Sequence, residues 1–219
     1  MPSLTHMPPR GYYLAREVGQ LAGVSGDRIG QWARRDYIRS SRSDGRPRVY
    51  SFQDVAEAMV VHDLLDRGVR HDEIRNAIAV LRAEWGEWPL THAPLATGRP
   101  VAGGRATVAI EHAGEHYDVG GRPWQGVINV ENLRRIREDL SRGGWAVRKV
   151  PQLEHIEVDP DRLSGAPTIR GRRVAAEEVA ELAEEPNGVE LLRDGYDLSV
   201  EQIEDAKRWL LATRELAAA

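Results

Sequence analysis

The chain has 219 residues, of which 41% are hydrophobic and 29% are charged, a composition typical of an ordinary globular protein. No apolar run reaches the roughly 18 residues that a membrane-spanning helix needs, and the first residues lack the apolar core of a signal peptide. The absence of cysteine excludes disulfides, thiolate zinc sites and cysteine nucleophiles. We therefore expect a cytoplasmic protein with no cofactor and no metal.

The net charge of −4 hides an asymmetry along the chain. Residues 1–50 carry nine arginines and four acids, a net charge of +5. Residues 51–150 carry a net charge of −1, and residues 151–219 carry eight basic and sixteen acidic groups, a net charge of −8. A basic head and an acidic tail predict two different partners.

The first residues of the head predict two short helices joined by a tight turn. Residues 15–22 have helical periodicity, and Gly23 suits the turn because glycine accepts positive φ. Ser25 is a good N-cap for a second helix over residues 26–35. The outward face of that helix carries Arg28, Gln31, Arg34 and Arg35, whereas Ile29 and Trp32 are expected to face the first helix.

A short hairpin and two longer helices are predicted next. Residues 39–48 are rich in Arg, Ser and Gly, and they run into Val49 and Tyr50. Ser51 followed by Asp54 resembles a capping box that opens a helix ending at Gly68. A further helix is predicted over residues 71–84.

Helix, turn, capped helix and arginine-rich hairpin together form a helix-turn-helix pattern with a wing. A helix N-terminus presents free N–H groups to phosphate, and Arg pairs with guanine or with the backbone. Residues 12–82 resemble the winged-helix DNA-binding domain of the MerR family. The matching residues are Val18, Leu21, Ala22, Gly23, Val24, Ser25, Ile29, Arg48, Val49, Tyr50, Ser51, Asp54 and Val55.

That resemblance implies a set of DNA contacts. The expected contacts are Ser25, Arg28, Gln31, Arg34 and Arg35 at the groove and Arg42, Arg46, Arg48 and Tyr50 in the wing and on phosphates. Trp32 and Tyr50 are expected to pack in the core or wing rather than stack on bases. The alternative is that the arginines form a solvated face of a protein-binding module.

The chain departs from the MerR pattern at two places. Gly30, Gln31 and Trp32 replace the family's usual Arg–Tyr–Tyr in the recognition helix. Trp85, Trp88 and Pro89 interrupt the long dimerising helix that normally follows. A small-molecule-sensing activator is therefore not expected.

The middle segment, residues 89–150, predicts a linker and a small α+β element. Prolines and glycines mark residues 89–104 as a loop. A hairpin is predicted over Thr107 to Tyr117, and a helix capped by Asn129 or Asn132 is predicted to end at Gly143. His112 and His116 fit a surface hairpin better than a metal site.

The tail predicts short helices after an extended turn. Helices are expected over residues 175–184 and 189–193 and, capped by Ser199, to about residue 215. The run from Gly165 to Val174, together with the order of elements over residues 155–211, is similar to the family known as domain of unknown function 433. Its signature is Gly-x-Pro-x-Ile-Arg-Gly-x-Arg-Ile, with Val174 here in place of the final Ile.

The second resemblance implies a homeodomain-like helical fold and an association with VapB-type antitoxins, which are encoded beside PIN-like ribonuclease toxins. Two modes of inhibition are open. Arg170, Arg172 and Arg173 could block the metal-holding carboxylates of the toxin, or the acidic residues Glu177, Glu178, Glu181, Glu184 and Glu185 could cover its RNA groove. The alternatives are that Arg170 holds the turn to its own domain and that the glutamates are a solvated helix face.

The sequence therefore predicts a fold that is mainly α with small β elements, in three parts. Residues 1–88 form a MerR-like winged helix-turn-helix, residues 89–150 a linker and α+β element that sets dimerisation, and residues 151–219 an antitoxin-type domain. The expected function is a non-enzymatic antitoxin that neutralises a PIN-like ribonuclease toxin and represses its own operon as a homodimer on double-stranded operator DNA. A stand-alone regulator with a protein- or ligand-binding tail is the alternative. An enzyme would need an apolar pocket with polar groups in the middle segment.

Overall fold

The computed structural model describes residues 9–122, 124–133 and 135–218, and its side chains to residue 215. Residues 1–8, to which the expectation about a signal peptide applies, lie outside this range. Within it the α-helices are α1 Ala15–Ala22, α2 Gly26–Arg34, α3 Phe52–Asp66, α4 His71–Trp85, α5 Pro89–His92, α6 Ile136–Ser141, α7 Ala146–Lys149, α8 Ala176–Leu182, α9 Gly188–Tyr196 and α10 Val200–Ala218. The strands are β1 Leu95–Pro100, β2 Thr107–His112, β3 Glu115–Asp118, β4 Val127–Asn132, β5 Ile156–Val158 and β6 Pro167–Ile169. The predicted fold class, mainly α with small β elements, is confirmed.

None of the helices in the described ranges is both long and apolar enough to span a membrane.

The head forms the helices that its sequence predicts, whereas the predicted hairpin is a loop closed by single bridges. Gly23 ends α1 with φ +78°, and its N–H donates to the carbonyl of Gly19 at 2.9 Å. At the start of α3, the Ser51 side chain accepts from the N–H of Asp54, and the Asp54 carboxylate accepts from the N–H of Ser51 at 2.8 Å. The capping box is therefore present, with Asp in the place of the usual Glu.

Residues 101–104 of the predicted loop form no helix or strand, but residues 89–100 differ from the prediction. They form α5 and β1, and β1 is an inner strand of an antiparallel sheet in the order β3-β2-β1-β4. Gly98 allows this pairing, because a Cβ there would collide with the side chain of Val127 on the neighbouring strand. Gly98 thus serves a close approach of two strands. Asn129 and Asn132 lie within β4 and cap no helix, and α6 begins only at Ile136.

The predicted hairpin is confirmed as β2 and β3, with the turn at Ala113 and Gly114. Behind the sheet, the hydrophobic core of the head continues into the middle segment. Val108 of β2 and Leu140 of α6 belong to the same buried cluster as Leu64 of α3. The head and the middle segment therefore share one core.

The tail has a core of its own around Trp209, which is 1% exposed. Strands β5 and β6 pair antiparallel, with Ile156 opposite Ile169. The α10 cap predicted at Ser199 is present, because its side chain accepts from the N–H of Gln202 and its N–H donates to the Gln202 side chain. The helix predicted over residues 189–193 is longer, reaching Tyr196 as α9.

The tail packs directly against α1 of the head. Trp145 of the middle segment donates its backbone N–H to the carbonyl of Leu21 at 2.6 Å, and its ring packs on His62 with centroids 4.4 Å apart. On the tail side, the indole of Trp209 donates to the carbonyl of Gly143 at 2.9 Å. Residues 143–145 therefore link the cores of head and tail.

Candidate nucleic-acid interface

The two helices of the head meet as a helix-turn-helix. The Ser25 side chain caps α2 by accepting from the N–H of Arg28 at 3.3 Å. Ile29 and Trp32 are buried beneath α2, at 0% and 2% exposure, so the opposite face of this helix points to solvent. A helix anchored in this way presents its free N–H groups and its outer side chains to a DNA groove.

The exposed face carries the predicted contact residues of α2. Arg28, Gln31, Arg34 and Arg35 are exposed, and Ser25 is half-buried at the cap. Within the described part of the chain, none of these three arginines takes part in an ion pair, whereas Arg39 pairs with Glu87 at 2.6 Å. Their charges are therefore available to phosphate or to base edges.

The wing is a short loop closed by single bridges, Ser43 to Val49 and Tyr13 to Tyr50. Asp54 holds its base, because one carboxylate oxygen accepts from the backbone N–H of Ser41 at 2.9 Å and from its hydroxyl at 2.6 Å. The capping carboxylate of α3 therefore also fixes where the wing leaves the domain.

The predicted wing residues divide into three environments. Arg46 is exposed and Arg48 is half-buried at the rim of the wing. Arg42 lies 3.8 Å above the ring of Tyr12 and donates to the carbonyl of Pro9, so its guanidinium is held against the head itself.

Tyr50 is fully buried, which corrects the prediction that it contacts phosphate. Pairing with Tyr13 turns Tyr50 into the core, where packing rather than DNA contact is its role, as is also true of Trp32. Burial raises the pKa of the Tyr50 phenol, and the nearby guanidinium of Arg48 opposes that shift. The phenol is therefore a neutral part of the core.

A depression of about 560 Å³ separates α2 from the wing. Four arginines line it, namely Arg34, Arg39, Arg48 and Arg82, together with the acids Asp36 and Asp44. Asp44 accepts a hydrogen bond from the Ser40 hydroxyl. The predicted set of contacts omitted Arg39 and Arg82. Arg39 lies in the arginine-rich stretch of the sequence, but Arg82 comes from α4 and reaches the depression only through the fold.

The candidate partner-binding residues of the tail are not equivalent. Arg170 and Arg173 are exposed, with no ion pair among the described residues. Arg172 donates to the carbonyl and carboxylate of Asp197 at 2.9 and 3.0 Å, so it ties the turn to the end of α9. The role predicted as an alternative for Arg170, holding the turn to its domain, is thus filled by Arg172.

The acidic helix face of the tail is also divided. Glu177 lies 3.6 Å from Arg16 of the head, and Glu181 pairs with Arg214 at 2.9 Å. Glu178, Glu184 and Glu185 are exposed. Among the described residues, the glutamates of this group that make no ion pair are therefore Glu178, Glu184 and Glu185.

The hairpin histidines do not converge on a common site. His112 packs edge-on against Trp124, with centroids 6.3 Å apart, and His116 lies opposite Glu111 on the neighbouring strand. Across the described ranges, no group of three or more His, Asp or Glu side chains is arranged to hold a metal ion.

Both ends of the chain match family models. Residues 13–80 match the model described as "MerR HTH family regulatory protein", and residues 156–209 match "Protein of unknown function (DUF433)". The two resemblances predicted from the sequence are therefore confirmed. Residues 13–80 are thus similar to the helix-turn-helix domain of MerR-family regulators, and residues 156–209 are similar to the DUF433 family.

Curated relatives include uncharacterized HTH-type transcriptional regulators of Mycobacterium bovis and Mycobacterium tuberculosis. Each is 37% identical over 67 residues, 29% of this chain and 30% of the relative. The match thus spans about 30% of the length of these relatives. The X-ray crystal structure of Rv2018 from Mycobacterium tuberculosis has a TM-score of 0.54 at 16% identity, covering 92% of this chain and 98% of that chain. This likeness concerns the fold alone.

Proposed function

We propose that this chain is the antitoxin of a type II toxin–antitoxin pair. In this proposal the head binds operator DNA and represses the chain's own operon, and the tail binds and neutralises a PIN-like ribonuclease. The observation that carries the proposal is that one chain joins a MerR-type head, whose first 50 residues have a net charge of +5, to a DUF433-type tail, residues 151–219, with a net charge of −8. Opposite charges at the two ends suit a nucleic acid at one end and a protein at the other.

Three features of the head support DNA binding. The arginines of α2 are exposed and unpaired by acids among the described residues, the helix is capped toward solvent, and an arginine-lined depression lies beside the wing. A homodimer would place two such heads on half-sites about one helical turn apart. Affinity that is supplied largely by phosphate contacts falls steeply with salt.

The tail supports a protein partner. Val189, Arg193 and Tyr196 follow helical spacing along one face of α9, and the two apolar side chains are 38% and 47% exposed. Arg170 and Arg173 are exposed on the neighbouring turn. Apolar side chains beside unpaired arginines form a surface that a partner with clustered carboxylates could cover.

Co-purification tests the antitoxin role. The tagged chain would be expressed with its native genomic neighbours, and mass spectrometry would identify what stays bound. We expect a stoichiometric small nuclease that is toxic when expressed alone. A chain that purifies alone, yet shifts its own promoter DNA, would refute the antitoxin role and leave a repressor.

Charge reversal tests the toxin-facing surface. Arg170→Glu with Arg173→Glu should weaken toxin binding by about tenfold or more, because each removes a charge-assisted contact and adds repulsion. The matched control is Arg105→Glu with Arg122→Glu, a double reversal at exposed positions of the middle segment. Equal affinity of the two double variants in calorimetric titrations would reject this surface.

Salt titrations test the DNA-facing surface. Arg34→Ala should lower affinity for the chain's promoter DNA and reduce the slope of log affinity against log salt by about 1. The control is Arg105→Ala, and the free dimer state would be measured by light scattering. A slope for Arg34→Ala that equals the control's would remove Arg34 from the interface.

A stand-alone regulator is the second candidate, and the packing of the tail against α1 favours it. Tyr12 of the head donates its N–H to the carbonyl of Ser164 at 2.8 Å, so the tail is held close to the helix-turn-helix. Such a tail could modulate the head without a toxin. The absence of a nuclease gene beside this one would favour this alternative.

A further inference from the structure

The arginine-lined depression between α2 and the wing gathers guanidinium groups from three separate stretches of the chain. Arg34 comes from the last turn of α2, Arg39 and Arg48 flank the wing, and Arg82 comes from α4. Arg82 lies beyond residues 13–80, the segment that matches the MerR family model. Positions that are distant in the sequence, one of them outside the matched segment, therefore meet at one place.

The lining of the depression is positively charged. Its four arginines outnumber its two acids, Asp36 and Asp44, which gives a net charge of +2. Arg39 also forms an ion pair at 2.6 Å with Glu87, an exposed residue that follows α4. Counting Glu87 with the lining, four arginines against three acids, leaves a net charge of +1. The depression therefore attracts anions.

Three of these arginines have no acidic partner. Within the described part of the chain, the side chains of Arg34, Arg48 and Arg82 make neither an ion pair nor a hydrogen bond. Burial raises the pKa of the Tyr50 phenol, and the charges of both Arg48 and Arg34 oppose that rise, so these two guanidinium groups lie near one ring. Unpaired guanidinium groups repel each other, and an anion between them removes this repulsion.

A phosphate group suits this arrangement. Guanidinium presents paired N–H donors whose spacing matches two phosphate oxygens, and it keeps its charge throughout the physiological range of pH. Helix α2 and the wing are the two elements that the head presents to DNA under the proposed function. The strip between them then faces the backbone at the edge of the groove. A phosphodiester of DNA is therefore the anion that this position favours.

We infer that the arginine-lined depression seats one phosphate of the DNA backbone, with Arg82 and Arg39 as contacts. Glu87 competes with this phosphate for Arg39. The inference rests on the proposed binding of operator DNA by the head, and it adds two contacts and a competing acid to the predicted set. In the free chain Arg39 is held by Glu87, and on DNA the phosphate takes the place of the Glu87 carboxylate.

The competing ion pair can open on contact with DNA. The side chains of Arg39 and Glu87 are 41% and 44% exposed, so water reaches both charges. An exposed ion pair of this kind contributes little to stability, whereas its carboxylate lowers the positive potential that attracts phosphate. Removal of the charge on Glu87 should therefore strengthen DNA binding without weakening the fold.

Salt titrations of promoter DNA binding by the full-length chain, followed by fluorescence anisotropy, test the contact from Arg82. Arg82→Ala should lower the affinity and reduce the slope of log affinity against log salt by about 1, because one phosphate contact is lost. The matched control is Arg137→Ala, at an exposed arginine of α6 that makes no ion pair among the described residues. Equal slopes for the two variants would overturn the phosphate seat.

A gain in affinity tests the competition. Glu87→Gln should strengthen promoter binding about two- to fivefold, because the ion pair that it removes is exposed. Glu84→Gln, at an exposed position of α4, is the control for the general effect of losing one negative charge. In an Arg39→Ala background, Glu87→Gln should have no more effect than Glu84→Gln. No gain beyond that of the control, or a gain that persists in that background, would overturn the competition.

The same measurements separate this inference from the proposed function. A natural chain that binds no promoter DNA at any salt concentration refutes the proposed function and the inference together. A natural chain that binds, while Arg82→Ala behaves like its control, refutes the inference alone. Inorganic pyrophosphate distinguishes a free phosphate ligand from DNA. Thermal stabilisation by pyrophosphate that Arg82→Ala loses, combined with an unchanged salt slope for DNA, would overturn the assignment to the DNA backbone.

Discussion

Glu57 is a carboxyl group buried in α3 beneath α5, and we expect its ionisation to destabilise the protein as the pH rises. It is 3% exposed, and it accepts the N–H of Thr91 at 2.8 Å. Burial raises the pKa of Glu57 from 4.5 to about 8, although hydrogen bonds from Thr91 partly oppose the shift. The folded state therefore holds a proton that the unfolded state releases between these two values.

The direction in which Glu57 changes the stability with pH follows from proton linkage. A raised folded pKa contributes stability that is fully present below pH 4.5 and is lost as the pH rises through about 8. Each pH unit in this interval costs about 1.4 kcal/mol, so the contribution falls by about 4 kcal/mol between about pH 5 and pH 8.5. Glu57→Gln keeps an oxygen for Thr91 and cannot ionise.

Urea unfolding of Glu57→Gln and of the natural chain, at about pH 5 and pH 8.5, measures this difference. We expect the variant to gain stability relative to the natural chain at the higher pH. Glu84→Gln, at an exposed position of α4, is the matched control and should change little at either pH. A stability difference for Glu57→Gln that does not depend on pH would refute the reasoning.

Two further changes test the links within and between the parts of the molecule. Gly23→Ala should destabilise the protein by about 1–3 kcal/mol more than Gly68→Ala does in thermal unfolding. Both glycines have positive φ, but only a Cβ at Gly23 would meet the ring of Trp145, at 2.5 Å. Equal losses of stability in the two variants would contradict this clash. Burial raises the pKa of the Asp205 carboxyl, but hydrogen bonds from the backbone and side chain of His155 help to outweigh burial and hold the pKa below 3.8. Stability from Asp205 should therefore be lost as the pH falls below 3.8, and Asp205→Asn should remove that loss in acid unfolding curves; a variant with the same acid profile as the natural chain would exclude this role.

Helices that are defined by local chemistry could be predicted from the sequence. The caps at Ser25, Ser51 and Ser199 each place an oxygen near an N–H three residues away, so a short stretch of chain decides them. Strand β1 is different, because its residues become a strand only through pairing with β2 and β4. Its glycine and its proline indicate a loop when only the local sequence is considered.

The candidate site could be predicted where one helix builds it. Spacing on α2 sufficed to place Arg28 and Arg34 outside and Ile29 inside. Tyr50 was included among the phosphate contacts although packing in the core or wing was also expected of it, and its pairing with Tyr13, distant in sequence, decides that it faces the core. The same limit applies to Arg82, because only the packing of α4 brings it to the arginine-lined depression.

The position of the tail gives a reason to expect that its partner affects DNA binding through charge. The first helix of a helix-turn-helix crosses the DNA backbone, and here Arg16 of α1 lies 3.6 Å from Glu177 of the acidic tail. Charges at this distance lie well within the Debye length of about 10 Å at 0.1 M salt, so the tail opposes the approach of phosphate. A partner that covers Glu177 would remove this repulsion and free Arg16, and we expect it to strengthen DNA binding. The strengthening should shrink as salt is raised, and a salt titration of promoter binding with and without the partner measures it. A gain that persists unchanged in high salt would point to a rearrangement of the head instead.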